Sequence, residues 1–238
     1  MIAATRASVP ILSAATGLHL DSYRADHVDE RVRRALERER VEGVDELARL
    51  FRRDPAARSR FRRSIAVSVS GLFRDPAQFE LLEHEILPAL LESRRRIRVW
   101  SAGCADGTEL YTVTELLERL DALDRAFLLG SDVLEENLER ARRGVYPDAT
   151  IDDAVRVRVR WERRDVVREG APSGSWNLVL CRNVAIYLAP AVKHMLHALL
   201  ADALTLGGVL LLGRSERLAE PTTLGLDRVA PHAYRKVA

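Results

Sequence analysis

Residues 97–112 read I-R-V-W-S-A-G-C-A-D-G-T-E-L-Y-T, and this stretch decides the fold. An apolar segment runs into two glycines, Gly103 and Gly107, and a helix-like pattern begins directly after them. A strand that leads through a glycine-containing turn into a helix is the opening unit of a parallel sheet covered by helices. We therefore expect a ligand at the carboxyl end of this strand, where the glycines let the backbone approach it closely.

The sequence after this stretch alternates between strand and helix patterns. Buried strands are predicted over A-F-L-L-G-S-D-V, W-N-L-V-L-C-R-N and G-G-V-L-L-L-G, with helices over E-E-N-L-E-R-A-R-R and residues 192–204. The segment V-R-V-R-V-R-W, residues 155–161, alternates strictly and predicts a strand with one exposed face or an edge strand. Two short strands around Pro231 and His232 predict a terminal hairpin. The fold class is thus α/β, a mostly parallel Rossmann-like sheet with an antiparallel edge strand and helices on both faces.

The N-terminal part of the chain follows a different pattern. From Asp21 onward, apolar residues such as Val28, Val32 and Leu36 recur at helix spacing, separated by arginines and glutamates. We therefore predict two domains, a small helical module over residues 1–65 and a sheet domain over residues 66–238. The arginine-rich segments 31–40 and 52–63 are either a docking surface or solvated faces balanced by nearby acids.

The composition argues against several classes of protein. The chain has 238 residues, with 37 basic and 35 acidic side chains. Aromatic residues make up only 5%, so the basic face with interleaved aromatics typical of nucleic-acid binding is not indicated. Long uncharged runs are absent, and Arg6 and Pro10 interrupt the apolar start, which argues against a membrane span or a signal peptide. Cys104 and Cys181 form no disulfide or metal-binding pattern, as is typical of a cytoplasmic protein.

The loop S-A-G-C-A-D-G lacks the fingerprints of phosphate-binding loops. It matches neither G-x-G-x-x-G nor a P-loop, and the carboxylate of Glu109 at the helix start would repel a pyrophosphate but favour an ammonium group. Asp132 ends the next strand, about 25 residues beyond the glycines, where an acid typically accepts hydrogen bonds from both ribose hydroxyls. A nucleoside with a cationic tail and no phosphate, such as S-adenosylmethionine, fits both acids. The alternative is that Asp132 only caps the following helix.

Several strings along the chain resemble the CheR family of chemotaxis receptor methyltransferases. The resemblance covers roughly residues 66–218 and is carried, in the family's order, by S-V-S-G-L-F-R-D-P-x-x-F, W-S-A-G-C-A-D-G-T-E-L-Y-T, G-S-D-V, A-R-R-G-V-Y, L-C-R-N-V-A-I-Y-L and G-G-V-L-L-L-G-R-S-E. It implies a class I methyltransferase fold, with residues 66–238 forming a catalytic domain that binds S-adenosylmethionine. It also implies methylation of glutamate side chains of receptors.

The resemblance assigns roles to single positions. The catalytic positions are Arg74, near the methionine end of the cofactor and the incoming substrate, and Tyr187, which would face the transferred methyl group. The alternatives are a salt bridge from Arg74 to Asp75 or another acid, and packing of Tyr187 on the sheet. The positions assigned to cofactor binding are Ser70, Arg74, Gly103, Gly107, Glu109, Asp132, Asp165, Arg182 and Asn183.

Within this cofactor-binding set, the resemblance gives three acids separate parts of the molecule. Glu109 would bind its amino group, Asp132 would bind its ribose, and Asp165 falls where the family often has a polar residue near the adenine. Arg182 and Asn183 would open the loop after the fourth strand of the sheet.

The chain departs from the family pattern in three places. The family's usual G-E-E-P-Y-S is G-T-E-L-Y-T here, and serines replace the usual asparagine and threonine at Ser68 and Ser70. The interval from Tyr146 to Asp165 is too short for the small β-subdomain with which some family members dock their receptor. An acceptor other than a tethered receptor is therefore an open alternative, for example a small acid from a biosynthetic pathway.

The chemistry of the acceptor is constrained only weakly by the sequence. A carboxylate is ionised near neutral pH and needs no general base, whereas an amine or a phenol usually does. The histidines at 84, 194, 197 and 232 fall on predicted helix faces or in the hairpin, so the pattern favours methylation of a carboxylate on a small molecule or a protein. The alternatives are N- or O-methylation of a small metabolite and S-adenosylmethionine binding without turnover. No metal or nucleic-acid partner is expected, and no oligomeric state is assigned.

Overall fold

The computed structural model describes residues 8–66, 75–147 and 149–238. Its helices are α1 (Ser8–Thr16), α2 (Ala25–Glu39), α3 (Val44–Arg53), α4 (Pro55–Ala66), α5 (Pro76–Leu81), α6 (Leu87–Ser93), α7 (Thr108–Arg119), α8 (Glu135–Arg143), α9 (Asp153–Arg156), α10 (Val166–Glu169) and α11 (Pro190–Ala203). Its strands are β1 (Ile97–Ala102), β2 (Ala126–Asp132), β3 (Val145–Tyr146), β4 (Ala149–Thr150), β5 (Val159–Arg163), β6 (Trp176–Cys181), β7 (Leu204–Leu212), β8 (Leu226–Ala230) and β9 (Ala233–Lys236). A π-helical turn, Leu82–Ile86, joins α5 to α6.

The main sheet has the order β5-β2-β1-β6-β7-β9-β8 among the described residues. All neighbouring pairs from β5 to β7 are parallel, and β9 runs antiparallel to both β7 and β8. The α/β Rossmann-like prediction is therefore confirmed. One detail differs, because the antiparallel strand is β9, second from the edge, and the outermost strand is β8. The hairpin folds back in this way because β9 can then satisfy the otherwise open side of β7.

The order of the strands reverses beside β1, which positions the site. From β1 the chain moves outward to β2 on one side and returns to β6 on the other. Ligands of open parallel sheets bind at such a switch point, outside the carboxyl ends of the strands. β1 and β6 are buried almost throughout, which explains their nearly continuous apolar sequences.

The alternating segment at residues 155–161 leads into a strand at the edge of the sheet, as predicted, but the strand is shorter than the pattern indicates. Its first residues belong to α9, and β5 begins only at Val159. The Asp152 side chain accepts a hydrogen bond from the Ala154 N–H and caps the short helix. The local cap therefore overrides a strand pattern that continues only through residues 159–163.

The chain divides into two compact units, one of residues 1–68 and 187–194 and the other of residues 69–186 and 195–238. The first unit contains α1 to α4, which pack around buried side chains that include Phe51 and Phe61, with ring centroids 4.9 Å apart. Residues 187–194 join this unit through a β-bridge between Tyr23 and Leu188. That residues 1–65 form a separate domain remains a prediction.

Candidate active site

The loop between β1 and α7 adopts a conformation that requires its glycines. Gly103 and Gly107 have φ values of +72° and +86°, in the left-handed region. The N–H groups of Gly103 and Cys104 both donate to the carbonyl of Ser131, at 2.8 and 2.9 Å, which ties the loop to the end of β2. A Cβ atom on Gly107 would lie 2.5 Å from the Trp161 ring. The backbone thus passes close to its neighbours where the sequence predicted close approach to a ligand.

Glu109 lies in the first turn of α7, with its carboxylate facing the end of β1. Its Oε1 accepts a hydrogen bond from Ser101 Oγ at 2.8 Å, and its Oε2 accepts one from Arg182 Nη1 at 3.0 Å. The Glu109 side chain is 17% exposed. A carboxylate has about four lone-pair sites, so each oxygen keeps capacity for another donor. This geometry fits the predicted role of Glu109 as the acceptor for an ammonium group.

Arg182 connects the ends of several elements. Besides Glu109, its guanidinium binds Asp75 Oδ2 at 3.0 Å and Gln78 Oε1 at 2.8 Å, and its side chain is only 5% exposed. The Gln78 amide in turn donates to the carbonyl of Leu212 at the end of β7. No motif in the sequence marks Gln78, and the sequence indicates Asp75 only as a partner of Arg74. The side chain of Asp75 pairs with Arg182.

Asp132 lies at the carboxyl end of β2 and is 7% exposed. Its Oδ1 accepts hydrogen bonds from the Leu134 N–H and from Asn137 Nδ2, and its Oδ2 accepts one from the Ala105 N–H. Burial raises the pKa of Asp132 to about 6, and these hydrogen bonds oppose the rise. Both the helix-capping alternative and the ribose role are compatible with this geometry, because Oδ2 retains a lone pair for one hydroxyl. The second ribose hydroxyl would need another partner.

Asp165 is placed as a helix cap. Its Oδ1 accepts hydrogen bonds from the N–H groups of Val167 and Arg168 in the first turn of α10. Its proximity to the adenine stays a prediction. Asn183 directly follows Arg182 and has a φ of +60°, an uncommon conformation for a residue with a side chain. Its N–H donates to Glu216 Oε2 at 2.5 Å, and no site role was predicted for Glu216 from the sequence.

Tyr187 ends a short 3-10 turn, Ala185–Tyr187, and belongs to the helical unit. Its carbonyl accepts a hydrogen bond from the Arg24 N–H at 3.0 Å, and its ring centroid lies 5.0 Å from that of His27. The His27 ring is fixed by a contact of 2.9 Å between its Nε2 and the carbonyl of Ile65. The predictions for Ser70 and Arg74 lie outside the described residues.

Other chemistry finds little support in the described part of the chain. No group of three or more His, Cys, Asp and Glu side chains there could hold a metal ion. Cys104 and Cys181 are buried, and burial raises the pKa of each thiol, which disfavours a nucleophilic thiolate. Within residues 8–66, 75–147 and 149–238, no helix combines the length and the apolar character needed to cross a bilayer.

Comparison with known proteins decides the family. Residues 68–153 and 148–227 match the model of the CheR methyltransferase, SAM binding domain. The chain belongs to the CheR methyltransferase family. A chemotaxis protein methyltransferase from Listeria innocua is 28% identical over 242 residues, with 92% of each chain covered. Chemotaxis protein methyltransferase 1 of Pseudomonas aeruginosa is 26% identical, with 87% of each chain covered.

Similarity to solved structures is weaker than similarity to these sequences. One solved structure, of an S-adenosylmethionine dependent methyltransferase from Mesorhizobium loti, matches with a TM-score of 0.36 and a sequence identity of 24%. The match covers 52% of this chain and 51% of that chain. This likeness is too slight to bear on the site.

The family match confirms that this CheR-family chain is a methyltransferase and that S-adenosylmethionine is its cofactor. The described residues fit this molecule, because Glu109 has lone pairs for an ammonium group and Asp132 has one for a ribose hydroxyl. The loop from Gly103 to Gly107 supplies backbone without side chains at its two ends. The roles of the single residues remain predictions.

Proposed function

We propose that the chain transfers a methyl group to a carboxylate, and that a glutamate side chain of a protein is the acceptor. One observation carries the proposal: three acids near the ends of β1, β6 and β7 already accept hydrogen bonds from other groups of the protein. Glu109 and Asp75 pair with Arg182, and Glu216 accepts hydrogen bonds from backbone N–H groups. These carboxylates are occupied by other donors, so none of them is placed to take a proton from an acceptor, and the arrangement favours an acceptor that needs no deprotonation.

The residues of the site then act by binding and orientation. S-Adenosylmethionine supplies an electrophilic methyl group on a sulfonium centre. Glu109 would hold the amino end, and Asp132 would hold the ribose through Oδ2. Arg182 holds the Glu109 carboxylate near the end of β1 through an ion pair of 3.0 Å. Rate enhancement in such a site comes mainly from holding the nucleophile in line, because fixed orientation removes an entropic barrier.

We place the acceptor in a cavity of about 440 Å³ whose wall carries the cation Arg214 as well as the acids Glu80 and Glu85. Its walls include Gln78, which also binds Arg182, and Arg214, which follows β7. The Arg214 side chain is 71% exposed, and its Nη1 lies 3.4 Å from Asp75 Oδ1. An exposed pair of this length is weak, so Arg214 can turn toward an incoming carboxylate at little cost.

The choice of a protein acceptor rests on the relatives. The Listeria innocua protein is named a chemotaxis protein methyltransferase, and it aligns with this chain over 92% of both lengths. The alternative is a small acid, because the interval from Tyr146 to Asp165 holds, in its described part, only the end of a hairpin of two-residue strands, α9 and β5. That interval offers little surface for tethering a receptor.

The experiment uses S-adenosylmethionine with a tritiated methyl group. The purified protein is incubated with membranes that contain a bacterial chemoreceptor or, separately, with small dicarboxylic acids such as glutarate. We expect label in the receptor that mild base releases as methanol, because methyl esters hydrolyse. Label that resists base would overturn carboxyl methylation in favour of N-methylation. Label in glutarate alone would transfer the proposal from proteins to small acids.

A matched pair of variants tests the acceptor side. Arg214→Ala is expected to raise the KM for the acceptor about tenfold, the size of one charge-assisted hydrogen bond, with unchanged affinity for S-adenosylhomocysteine. Arg217→Ala removes an exposed arginine three residues further along and is the control. Equal effects of both variants on KM would remove Arg214 from the acceptor site.

A further inference from the structure

Glu216 is a buried carboxylate in the turn after β7, and it is 1% exposed. Its Oε2 accepts hydrogen bonds from the N–H groups of Asn183 at 2.5 Å and Gly213 at 3.0 Å, and its Oε1 accepts one from the Ala185 N–H at 2.8 Å. Two of these donors belong to the loop after β6, and the third belongs to the turn of Glu216 itself. The carboxylate therefore ties together the carboxyl ends of two neighbouring strands.

The loop that Glu216 holds is conformationally demanding. Asn183 has a φ of +60°, a left-handed conformation that a residue with a side chain rarely adopts and that persists only where the surroundings impose it. Gly213 leaves the necessary space, because a Cβ atom there would lie 2.7 Å from Glu216 Oε2 and 2.8 Å from the Asn183 nitrogen. The Asn183 conformation, the missing side chain at Gly213 and the carboxylate of Glu216 thus form one arrangement.

The backbone of Glu216 is itself held in place by two hydrogen bonds. Its carbonyl lies 2.6 Å from His232 Nδ1, and a carbonyl can only accept, so Nδ1 carries the proton that is shared. The Glu216 N–H donates to the Gly213 carbonyl at 2.8 Å and closes the turn. With both its backbone groups engaged, Glu216 presents its side chain to the loop after β6 in one orientation.

We propose that Glu216 is a positioning residue for methyl transfer, acting through the loop from Arg182 to Ala185. This loop carries Arg182, whose guanidinium binds Glu109, and it leads directly into the segment with Tyr187. Glu216 sets the position of the loop backbone, whereas the side chain of Arg182 is held separately by Asp75, Gln78 and Glu109. The proposal rests on methyl transfer by this site and holds whichever carboxylate is the acceptor.

Because the Arg182 side chain is anchored separately, substitution of Glu216 should lower the rate of methyl transfer without weakening the binding of S-adenosylhomocysteine. Glu216→Gln keeps the size of the side chain but turns an amide NH₂ toward backbone donors, so at least one of the three hydrogen bonds is lost. We expect this variant to lower kcat at least tenfold with chemoreceptor membranes as acceptor. Its affinity for S-adenosylhomocysteine, measured by calorimetry, should stay within about threefold, because Glu109 and Asp132 remain in place.

Two further variants complete the series. Glu216→Asp keeps the charge but is one methylene shorter, so it cannot reach the Asn183 and Ala185 N–H groups and should also lose rate. Glu220→Gln makes the same change of charge at an exposed position four residues later and should leave rate and binding unchanged. An unchanged kcat in Glu216→Gln overturns the proposal, and so does a loss of S-adenosylhomocysteine affinity as large as the loss of rate.

Hydrogen exchange tests the same proposal without any acceptor. In the protein alone, a peptide covering residues 182–188 should exchange at least tenfold faster in Glu216→Gln than in the original chain, because the Asn183 and Ala185 amides lose their acceptor. A peptide covering β1 should exchange equally in both proteins. Equal exchange over residues 182–188 overturns the proposal even if no acceptor is found. If the original chain methylates no carboxylate, the proposed acceptor fails while the exchange result still decides the role of Glu216.

Discussion

Arg182 and Glu109 are 73 residues apart in the sequence, yet Nη1 of Arg182 lies 3.0 Å from Oε2 of Glu109. The pair joins the loop after β6 to the first turn of the helix after β1, on either side of the point where the strand order reverses. Arg182 is almost fully buried, and Glu109 is 17% exposed. Removal of one partner therefore leaves a charge with little access to water.

Arg182→Ala should destabilise the protein. It leaves both Glu109 and Asp75 without their cation, and breaking a buried ion pair by removing one partner costs about 2–4 kcal/mol of unfolding free energy where some solvent access remains. Urea unfolding followed by circular dichroism measures the loss. Glu109→Gln introduced together with Arg182→Ala should restore part of it, because one uncompensated charge disappears. An effect of Arg182→Ala no larger than that of the exposed Arg217→Ala would show that the pair contributes nothing to stability.

Glu109→Gln should weaken the affinity for S-adenosylhomocysteine about 10- to 100-fold. The expected loss is that of one charge-assisted hydrogen bond to the ligand's ammonium group, about 1.5–3 kcal/mol. Calorimetry with 5′-methylthioadenosine, which lacks the amino-acid end, gives the internal comparison. Its affinity should not change in the variant.

Glu118→Gln serves as the control for Glu109→Gln, because Glu118 is an exposed glutamate on the same helix. A parallel loss of affinity for both ligands in Glu109→Gln would mean that Glu109 supports the site as a whole and does not bind the amine.

The sequence was sufficient for the sheet domain because its signals are local. The buried strands β1, β2, β6 and β7 read as apolar runs, and the turn between β1 and α7 is marked by Gly103 and Gly107. The alternation at residues 155–161 misled because the cap at Asp152 competes with a strand over the same residues. Local pattern cannot decide between two local structures of similar energy.

The partners within the site could not be predicted in the same way. Arg182 binds Gln78, which lies 104 residues away and belongs to a helix that carries no signal of its role. Glu216 ends the string G-G-V-L-L-L-G-R-S-E, but its three backbone donors are set by how the ends of β6 and β7 meet. A sequence does not indicate where backbone N–H groups lie in the fold. A buried acid near a strand end, as in R-S-E after an apolar strand, is the one signal that could have drawn notice.

The affinity for S-adenosylhomocysteine should depend on pH through Asp132. Burial raises the pKa of this carboxyl to about 6 in the folded protein, and its ionised form accepts the ribose hydroxyl more strongly. At pH 5 only about a tenth of the carboxyl is ionised, so binding should be up to about tenfold weaker than at pH 7.5. Calorimetry across this range measures the change. Asp132→Asn should bind weakly and show no such dependence, and an identical pH profile in both proteins would exclude Asp132 as its origin.

The ionisation of Asp132 should also affect the stability of the protein, and stability should change with pH in the opposite direction from the affinity for S-adenosylhomocysteine. The folded pKa of Asp132, about 6, lies above the ordinary value, so the native state binds the proton more tightly than the unfolded chain does. The contribution of Asp132 to unfolding free energy is therefore most favourable below about pH 4 and is lost as the pH rises toward 6. Urea midpoints of Asp132→Asn, compared with those of the original chain across this interval, should diverge accordingly. A difference between the two proteins that stays constant from pH 4 to pH 7 would contradict a raised pKa.

Gly107→Ala should damage both folding and cofactor binding. At a φ of +86°, a side chain costs about 1–2 kcal/mol, and the new Cβ would lie 2.5 Å from the Trp161 ring and 2.8 Å from the Ala141 Cβ. The loop must shift to relieve these contacts, and the shift should displace Glu109, which lies two residues after Gly107. We therefore expect the affinity for S-adenosylhomocysteine to fall at least tenfold. Gly43→Ala is the matched control, because Gly43 has a φ of −147° and no atom within 4 Å of the added carbon. Thermal unfolding and calorimetry measure the two effects, and a Gly107→Ala protein as stable and as tightly binding as Gly43→Ala would show that the loop tolerates a side chain there.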